Sequence, residues 1–479
     1  MTDSVLAAIE HDASAASASA FARTAAGFLR ESAAGKGQVS TSLSPADLAA
    51  RFAEPLPRHG APLDDVLARI ERDVLSDAIR LSHPMYLGHQ VSAPLPAAVW
   101  ADSIASAVNN SLAVSEMSPT GTALETRVVR WMADVAGFGA GAGGTFTSGG
   151  TEATFTALLA ARAAALPGAW DDGVGDRPPV LVCGEHAHYA VARAAGELGL
   201  GMRRVVTVPS RDHRMDAGAL DGVLDRLYKE EIAVMAVVAT AGSTATGSFD
   251  DLDAIGRSCE GRGLWLHVDA AHGASALLSS AHRSRLRGIE RATSIAWDPH
   301  KMMLVPVSAG VLLVRDERAL ERAFAQRAPY LFHGGDGERI PDQGVRSFQC
   351  SRRLDALKVW VALQRYGADG IGALYDRLCE AALALHVEIG RRPEFEAMHE
   401  PESNILCFRW IGDGALNDAA LDERNRDLRE RYNRSGKGWI TTTVLDGRRV
   451  LRVTIMNPRS TAAHTTALLD GLVDQARAV

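Results

Sequence analysis

From about residue 120 the chain alternates short, continuously apolar runs with helical stretches, and no other feature restricts its fold as strongly. The runs PVLVCG, RRVVTVP, IAVMAVVAT, LWLHVD, TSIAW and AGVLLV are rich in Val, Ile and Leu and too short for helices. Stretches with helical spacing, such as AVARAAGELG and DLDAIGRSCEGRG, separate several of them. Strands that are apolar on both faces must be covered on both faces. The pattern therefore predicts an α/β domain with a mostly parallel sheet.

The two ends read differently. Residues 1–80 are Ala-rich with helical periodicity, broken near GKGQVSTSLSP and EPLPRHGAPLDD. Such a helical arm has too little core to stand alone, so it is expected to pack on another surface, such as a second subunit. After about residue 365, the helix GIGALYDRLCEAALALHVEIGRR leads into FEAMHEP, NILCFRW, WITTTVLDG and RRVLRVTIM as strands. Helices at ALDERNRDLRERYN and TTALLDGLVDQAR accompany them. The predicted division is a helical arm over 1–80, a large α/β domain over 81–365 and a small α+β domain over 366–479.

Composition narrows the function classes. Lys and Arg number 51 against 58 Asp and Glu, a net charge of −7, with no block of like charge. That balance gives no sign of a nucleic-acid partner. No apolar run reaches the roughly 18 residues that suggest a membrane span. The N-terminus lacks the basic region and apolar core of a secretory signal, which points to the cytoplasm. Five cysteines without CxxC spacing argue against a zinc site and for a reducing compartment.

Three segments carry chemistry. In FTSGGTEATFTALLAAR, glycines open an amphipathic helix whose first amides have no partner within the helix. Free amides and the helix dipole favour a phosphate there, although a Gly-Gly pair before a helix also reads as a plain turn. In LWLHVDAAHGA, Asp269 falls where a buried strand ends. It either caps the next turn or faces a cationic ring nitrogen. In TSIAWDPHKMMLVP, Lys301 follows another apolar strand. It is either a snorkelling surface lysine or the partly buried amine that a Schiff base requires. Ligands of open parallel sheets bind beyond the carboxyl ends of the strands. An anion site, a carboxylate and an amine gathered there match the phosphate, ring nitrogen and aldehyde of pyridoxal 5′-phosphate (PLP).

The order SGGTEAT, HAHYAV, ATAGSTATGSFD, HVDAAHG and DPHK resembles that of the group II PLP-dependent amino-acid decarboxylases. The likeness runs from HPMYLGHQ to RVTIMNP. That family includes glutamate, cysteine sulfinate, aromatic amino acid and diaminobutyrate decarboxylases. The resemblance implies a fold type I, PLP-dependent transferase-like large domain. It implies that Lys301 holds PLP as a Schiff base, that His300 reaches the phosphate with Gly150 and Thr151, and that Asp269 pairs with the ring nitrogen. Ala271 and His188 would cover the two ring faces, with His186 a competitor for the second, and Thr244 would line the pocket.

The segment APYLFHGGDGERIPDQGVRSFQCSRRLDALKVW has no apolar period through its Gly-, Asp- and Pro-rich middle and reads as a loop. In the family, such a loop closes over the site from the partner subunit and brings a tyrosine that protonates the substrate carbon. Here that position falls on Tyr330, which beside Leu and Phe also reads as packing. A homodimer with a shared site is implied. For the substrate, Gln90 is a side-chain-pocket candidate and Arg452 falls where the family places a carboxylate-binding arginine. Arg352 and Arg353 are further cations. HPMYLGHQVSAP and NNSLAVSEMSPTGTALE look most like the glutamate and cysteine sulfinate branch, so an acidic amino acid comes first. His272 departs from the Trp more common there. Diaminobutyrate and aromatic amino acids follow, and PLP-dependent aminotransferases share the Asp and Lys logic.

Overall fold

A computed structural model describes residues 2–324 and 342–477. Its described residues form two compact units, one from Gln90–Leu383 and His399–Cys407, the other from Met1–His89, Ala384–Met398 and Phe408–Val479. None of its described helices is long and apolar enough to cross a membrane.

The larger unit is built on a seven-stranded sheet. Its strands are β1 (Gly143–Thr147), β2 (Val180–Gly184), β3 (Val205–Val208), β6 (Val234–Thr240), β7 (Trp265–Asp269), β8 (Ser294–Trp297) and β9 (Gly310–Val314). A short ribbon, β4 (Ser210–Arg211) with β5 (Arg214–Met215), follows β3. The sheet order is β1-β9-β8-β7-β6-β2-β3. β9 is antiparallel to both neighbours and the remaining pairs are parallel. All six apolar runs singled out in the sequence are strands of this sheet. Nearly every residue of β2, β6, β7, β8 and β9 is buried, as a sheet covered on both faces requires.

The seventh strand, β1, lies in the Gly-rich stretch GAGAGGTFTSGG and carries no apolar run. Its glycines serve close approach rather than flexibility: a Cβ on Gly144 would stand 2.2 Å from the Leu312 carbonyl oxygen of β9. Helix Gly150–Ala165 begins directly after β1 and crosses one face of the sheet. Small residues on that helix let it come close, and Ala153 and Ala157 form one buried cluster with Ala296, Leu312 and Val314.

The second unit carries strands β10 (Phe395–Ala397), the end of β11 (Ile405–Trp410), β12 (Thr441–Leu445) and β13 (Arg448–Thr454), in the order β10-β11-β13-β12. Helices Asp418–Arg434 and Ala462–Arg477 pack with each other, and the first of them lies on β13. The N-terminal residues are tied to the same unit. Val39 donates its amide to Gly436, Leu87 to Trp439, and Thr454 to Leu87.

Candidate active site

The topology decides where a site can form. β1, β2, β6, β7 and β8 all point their carboxyl ends to one edge, and the antiparallel β9 starts at that edge. A cavity of about 430 Å³ opens there. After β1 come Ser148 to Thr151, after β2 His188 and Tyr189, and after β6 Gly242 and Thr244. β7 ends on Asp269 and is followed by Ala271 and His272; β8 is followed by Asp298, His300 and Lys301. Gln90 lines the cavity too, with its Nε2 buried and without a protein partner.

The chain must turn tightly to deliver these groups. Gly242, at φ +83°, leaves β6, and Gly273 follows β7. A Cβ on Gly242 would stand 2.8 Å from the Gly273 nitrogen, and one on Gly273 only 2.5 Å from the Ala241 carbonyl. Only glycine fits both positions, one for its left-handed φ and both for the contact. Asp250, buried, accepts from the amides of Thr240 (2.7 Å) and Met215 (2.8 Å) and so anchors the end of β6. Burial pushes that carboxyl up to about 6.

At the other side Lys301 and the helix start meet on one carboxylate. The Asp298 Oδ2 atom lies 3.2 Å from Lys301 Nζ and 3.6 Å from His300 Nε2. It also accepts the amide hydrogen of Gly150 at 3.0 Å. Asp298 is 1% exposed, and its Oδ1 has no partner in the protein. Sequence reasoning singled out Asp269 at the end of an apolar strand and passed over Asp298, although it ends the run TSIAW in the same way. His300 Nδ1 rests against the backbone of Ala309, 2.8 Å from its oxygen and 3.1 Å from its nitrogen. Burial pushes His300 below the usual imidazole range, against the pull of Asp298.

Asp269 is 9% exposed, and one of its oxygens accepts from the Ala271 amide at 3.2 Å. It therefore caps the following turn and lines the cavity at once. Of the two histidine candidates, His188 lines the cavity, where burial lowers its pKa against the opposing charge of Asp269. His186 instead packs edge-on against His213, with ring centres 5.6 Å apart.

None of the candidate arginines is among the residues that line this cavity. Arg352 is buried in a two-pronged pair with Glu125, at 2.7 and 3.0 Å. Arg353 meets Asp102 at 3.1 Å. Arg452 belongs to the second unit, on β13, where it is buried and donates to the Thr454 hydroxyl at 3.2 Å. Tyr330 lies outside the described residues.

PLP fits this arrangement. A Cβ on Gly150 would fill the space in front of the helix start, 2.8 Å from the Ala271 Cβ and 3.1 Å from Asp298 Oδ2. The bare backbone there leaves room for a phosphate beside the first turn and the Thr151 hydroxyl. Asp269 suits a protonated ring nitrogen, and the Lys301 amine suits an aldehyde.

Comparison with known proteins agrees. Residues 45–411 match the pyridoxal-dependent decarboxylase conserved domain. The chain is 35% identical to the L-2,4-diaminobutyrate decarboxylase of Rhizobium meliloti (strain 1021) over 427 residues, 88% of this chain and 84% of that one. It is 34% identical to the acidic amino acid decarboxylase GADL1 of Xenopus tropicalis over 357 residues, 74% of this chain and 70% of that one. Among solved structures it resembles the glutamate decarboxylase domain of diaminobutyrate-pyruvate transaminase and L-2,4-diaminobutyrate decarboxylase from Vibrio parahaemolyticus. The TM-score is 0.87 at 31% identity, covering 97% of this chain and 96% of that one. The chain belongs to the pyridoxal-dependent decarboxylase family and is an amino-acid carboxy-lyase with pyridoxal 5′-phosphate as its cofactor.

Proposed function

We propose that the enzyme decarboxylates L-2,4-diaminobutyrate to its diamine and carbon dioxide. The observation that carries this choice is the likeness to a diaminobutyrate decarboxylase along nearly the full length of both chains. An acidic amino acid, placed first by the sequence motifs, is the second reading. The similarity to an acidic amino acid decarboxylase favours it, as does the unpartnered Gln90 Nε2, a donor suited to a carboxylate.

In this reading Lys301 binds the cofactor's aldehyde carbon. Gly150, Thr151 and His300 hold the phosphate. Asp269 keeps a proton on the ring nitrogen. Ala271 and His188 cover the ring and exclude water, and Thr244 closes the wall. Bound PLP supplies the sink for the electron pair left behind when the carboxylate departs. Tyr330 delivers a proton to the former α-carbon. Arg452 meets the substrate carboxylate. A homodimer with a shared site is part of the proposal. The exposed apolar side chains of the first helix, Val5, Leu6 and Ile9, support it.

The test is a panel of single amino acids given to the purified holoenzyme, with amine and carbon dioxide read by mass spectrometry. Diamine from L-2,4-diaminobutyrate with the highest kcat/KM is the expected result. Turnover confined to glutamate, aspartate or cysteine sulfinate would move the assignment to the acidic branch, and an aromatic amine would refute both. A monomer that turns over in light-scattering conditions would overturn the shared site.

A further inference from the structure

Asp298 follows β8 directly, is 1% exposed and lines the cavity. Its backbone is held from both sides: its amide donates to the Ala271 oxygen at 3.1 Å, and its own oxygen accepts the Lys301 amide at 2.9 Å. The two carboxyl oxygens have different surroundings. Oδ2 stands 3.2 Å from Lys301 Nζ and accepts the Gly150 amide at 3.0 Å. Oδ1 is walled in by β1 and β9, since a Cβ on Gly310 would lie 2.8 Å from it and 2.6 Å from Thr147 Oγ1. Oδ1 has no hydrogen-bond partner among the described residues. The carboxylate therefore depends on two donors, the Lys301 amine and the Gly150 amide.

Both donors are ones that the cofactor takes. In the proposed function, on which this inference rests, Lys301 binds the aldehyde carbon and Gly150 turns its amide to the phosphate. A phosphate ester carries a charge of about −1.5 to −2 at pH 7. Loading thus strips Oδ2 of its donors and sets a second anion beside it. The other charged or titratable groups nearby do not replace those donors. Asp269 adds negative charge. Burial holds His188 and His300 below the usual imidazole range, and His300 Nε2 stands off at 3.6 Å. Lys358, whose charge bears on His300, is engaged by Asp355 at 2.9 Å and Asp102 at 3.2 Å. A buried carboxylate without a donor, next to a like charge, is driven to its neutral form.

We propose that Asp298 takes up a proton when the cofactor's phosphate docks, changing from an anion that holds Lys301 and the Gly150 amide to a neutral carboxyl that donates to the phosphate. The proton comes from solvent. Before loading, the carboxylate draws the Lys301 amine and the helix start together. After loading, the protonated group replaces a repulsion between two anions by a hydrogen bond.

The test counts protons. Cofactor-free enzyme is titrated calorimetrically with PLP in buffers of different ionisation enthalpy at about pH 8, where free phosphate, with a second pKa of about 6, is fully ionised. Condensation of the Lys301 amine with the aldehyde expels one water in native enzyme and variant alike, so its protons cancel in the difference. Native enzyme is expected to take up about one proton more than Asp298→Asn, and its affinity relative to that variant to fall about tenfold for each further pH unit. His300→Gln is expected to keep the extra proton. Equal counts in native enzyme and Asp298→Asn would overturn the proposal, and so would loss of the extra proton in His300→Gln, which would place it on the imidazole. If Asp298→Asn does not fold, infrared difference spectra of the native enzyme decide. A carboxylic-acid carbonyl band that shifts in heavy water should appear on loading, and its absence would overturn the proposal. PLP bound no more tightly than pyridoxal, which lacks the phosphate, would overturn instead the reading of Gly150, Thr151 and His300 as a phosphate site.

Discussion

Replacing Arg352 by Met separates two roles that its sequence position allows. Its side chain is 3% exposed and that of Glu125 is 1% exposed. The pair also clamps β1: Arg352 Nη1 lies 3.4 Å from the Phe146 oxygen, and the Phe146 amide lies 3.4 Å from Glu125 Oε1. Arg352→Met leaves a carboxylate buried with no cation, which costs about 3–5 kcal/mol. In urea that is a midpoint lower by about 1 M or somewhat less, because the slope for a chain of this size lies above the roughly 1–3 kcal/mol/M of small proteins. Arg352→Met/Glu125→Leu removes both charges and is expected to recover most of the loss, because a well-packed apolar pair often equals a buried ion pair. The assay is urea unfolding of the cofactor-free protein by tryptophan fluorescence, with KM measured on the double variant. An unchanged midpoint in Arg352→Met, joined to a KM raised about tenfold in the double variant, would refute the reasoning and make Arg352 a substrate ligand.

Four further outcomes can be checked directly. Lys301→Ala should lose the absorbance of the bound cofactor and all turnover; retained turnover would remove Lys301 from its role. Gly150→Ala puts a methyl 2.8 Å from Ala271 Cβ. Overpacking of about 1–3 kcal/mol should weaken PLP about tenfold or more in an absorbance titration, and an unchanged titration would count against the phosphate cradle. Tyr330→Phe should shift product from amine towards aldehyde and ammonia, with dioxygen as the oxidant; an unshifted product ratio would discharge Tyr330. His267 is held at about 4, below the 6.5 of a free imidazole. Between those values an unfolded chain binds a proton that the folded one refuses. Stability is therefore full above 6.5 and lost as pH falls, by on the order of 3 kcal/mol. The urea midpoint of His267→Gln should accordingly hold up better than the native one from pH 7 to pH 4, and parallel curves would disprove the burial argument.

Much of the larger unit was legible because its strands are buried on both faces. The six continuous apolar runs had no helical alternative of sufficient length, and each is a strand. β1 escaped because three of its five residues are Gly or Phe flanked by small polar groups, and its glycines answer to the Leu312 backbone rather than to any pattern of apolarity. The cavity lining follows from topology once the strands are known. Asp269, Lys301, His300, Gly150, Thr151, His188, Thr244, Ala271 and Gln90 all come to one carboxyl edge. Arg352 misled because an arginine in a polar stretch looks available, while its partner Glu125 lies more than two hundred residues earlier, beyond the reach of any local pattern.

Asp298, which sequence reasoning passed over, shares a physical signature with Asp269. In a strand buried on both faces, every polar side chain must find a partner or serve the site. β7 breaks its apolar run inside the strand at His267 and at its end at Asp269, while β8 opens on Ser294 and is followed at once by Asp298. The parallel register sets His267 and Ser294 side by side, and each strand delivers its aspartate to the same edge. Each Asp then takes a separate task in the cavity. Asp269 has a histidine behind it on its own strand. Asp298 gathers Lys301, His300 and the Gly150 amide around one oxygen. A polar residue inside an otherwise apolar run of this kind is thus a site signal in its own right, because the desolvation it costs is tolerated only where a buried network uses it.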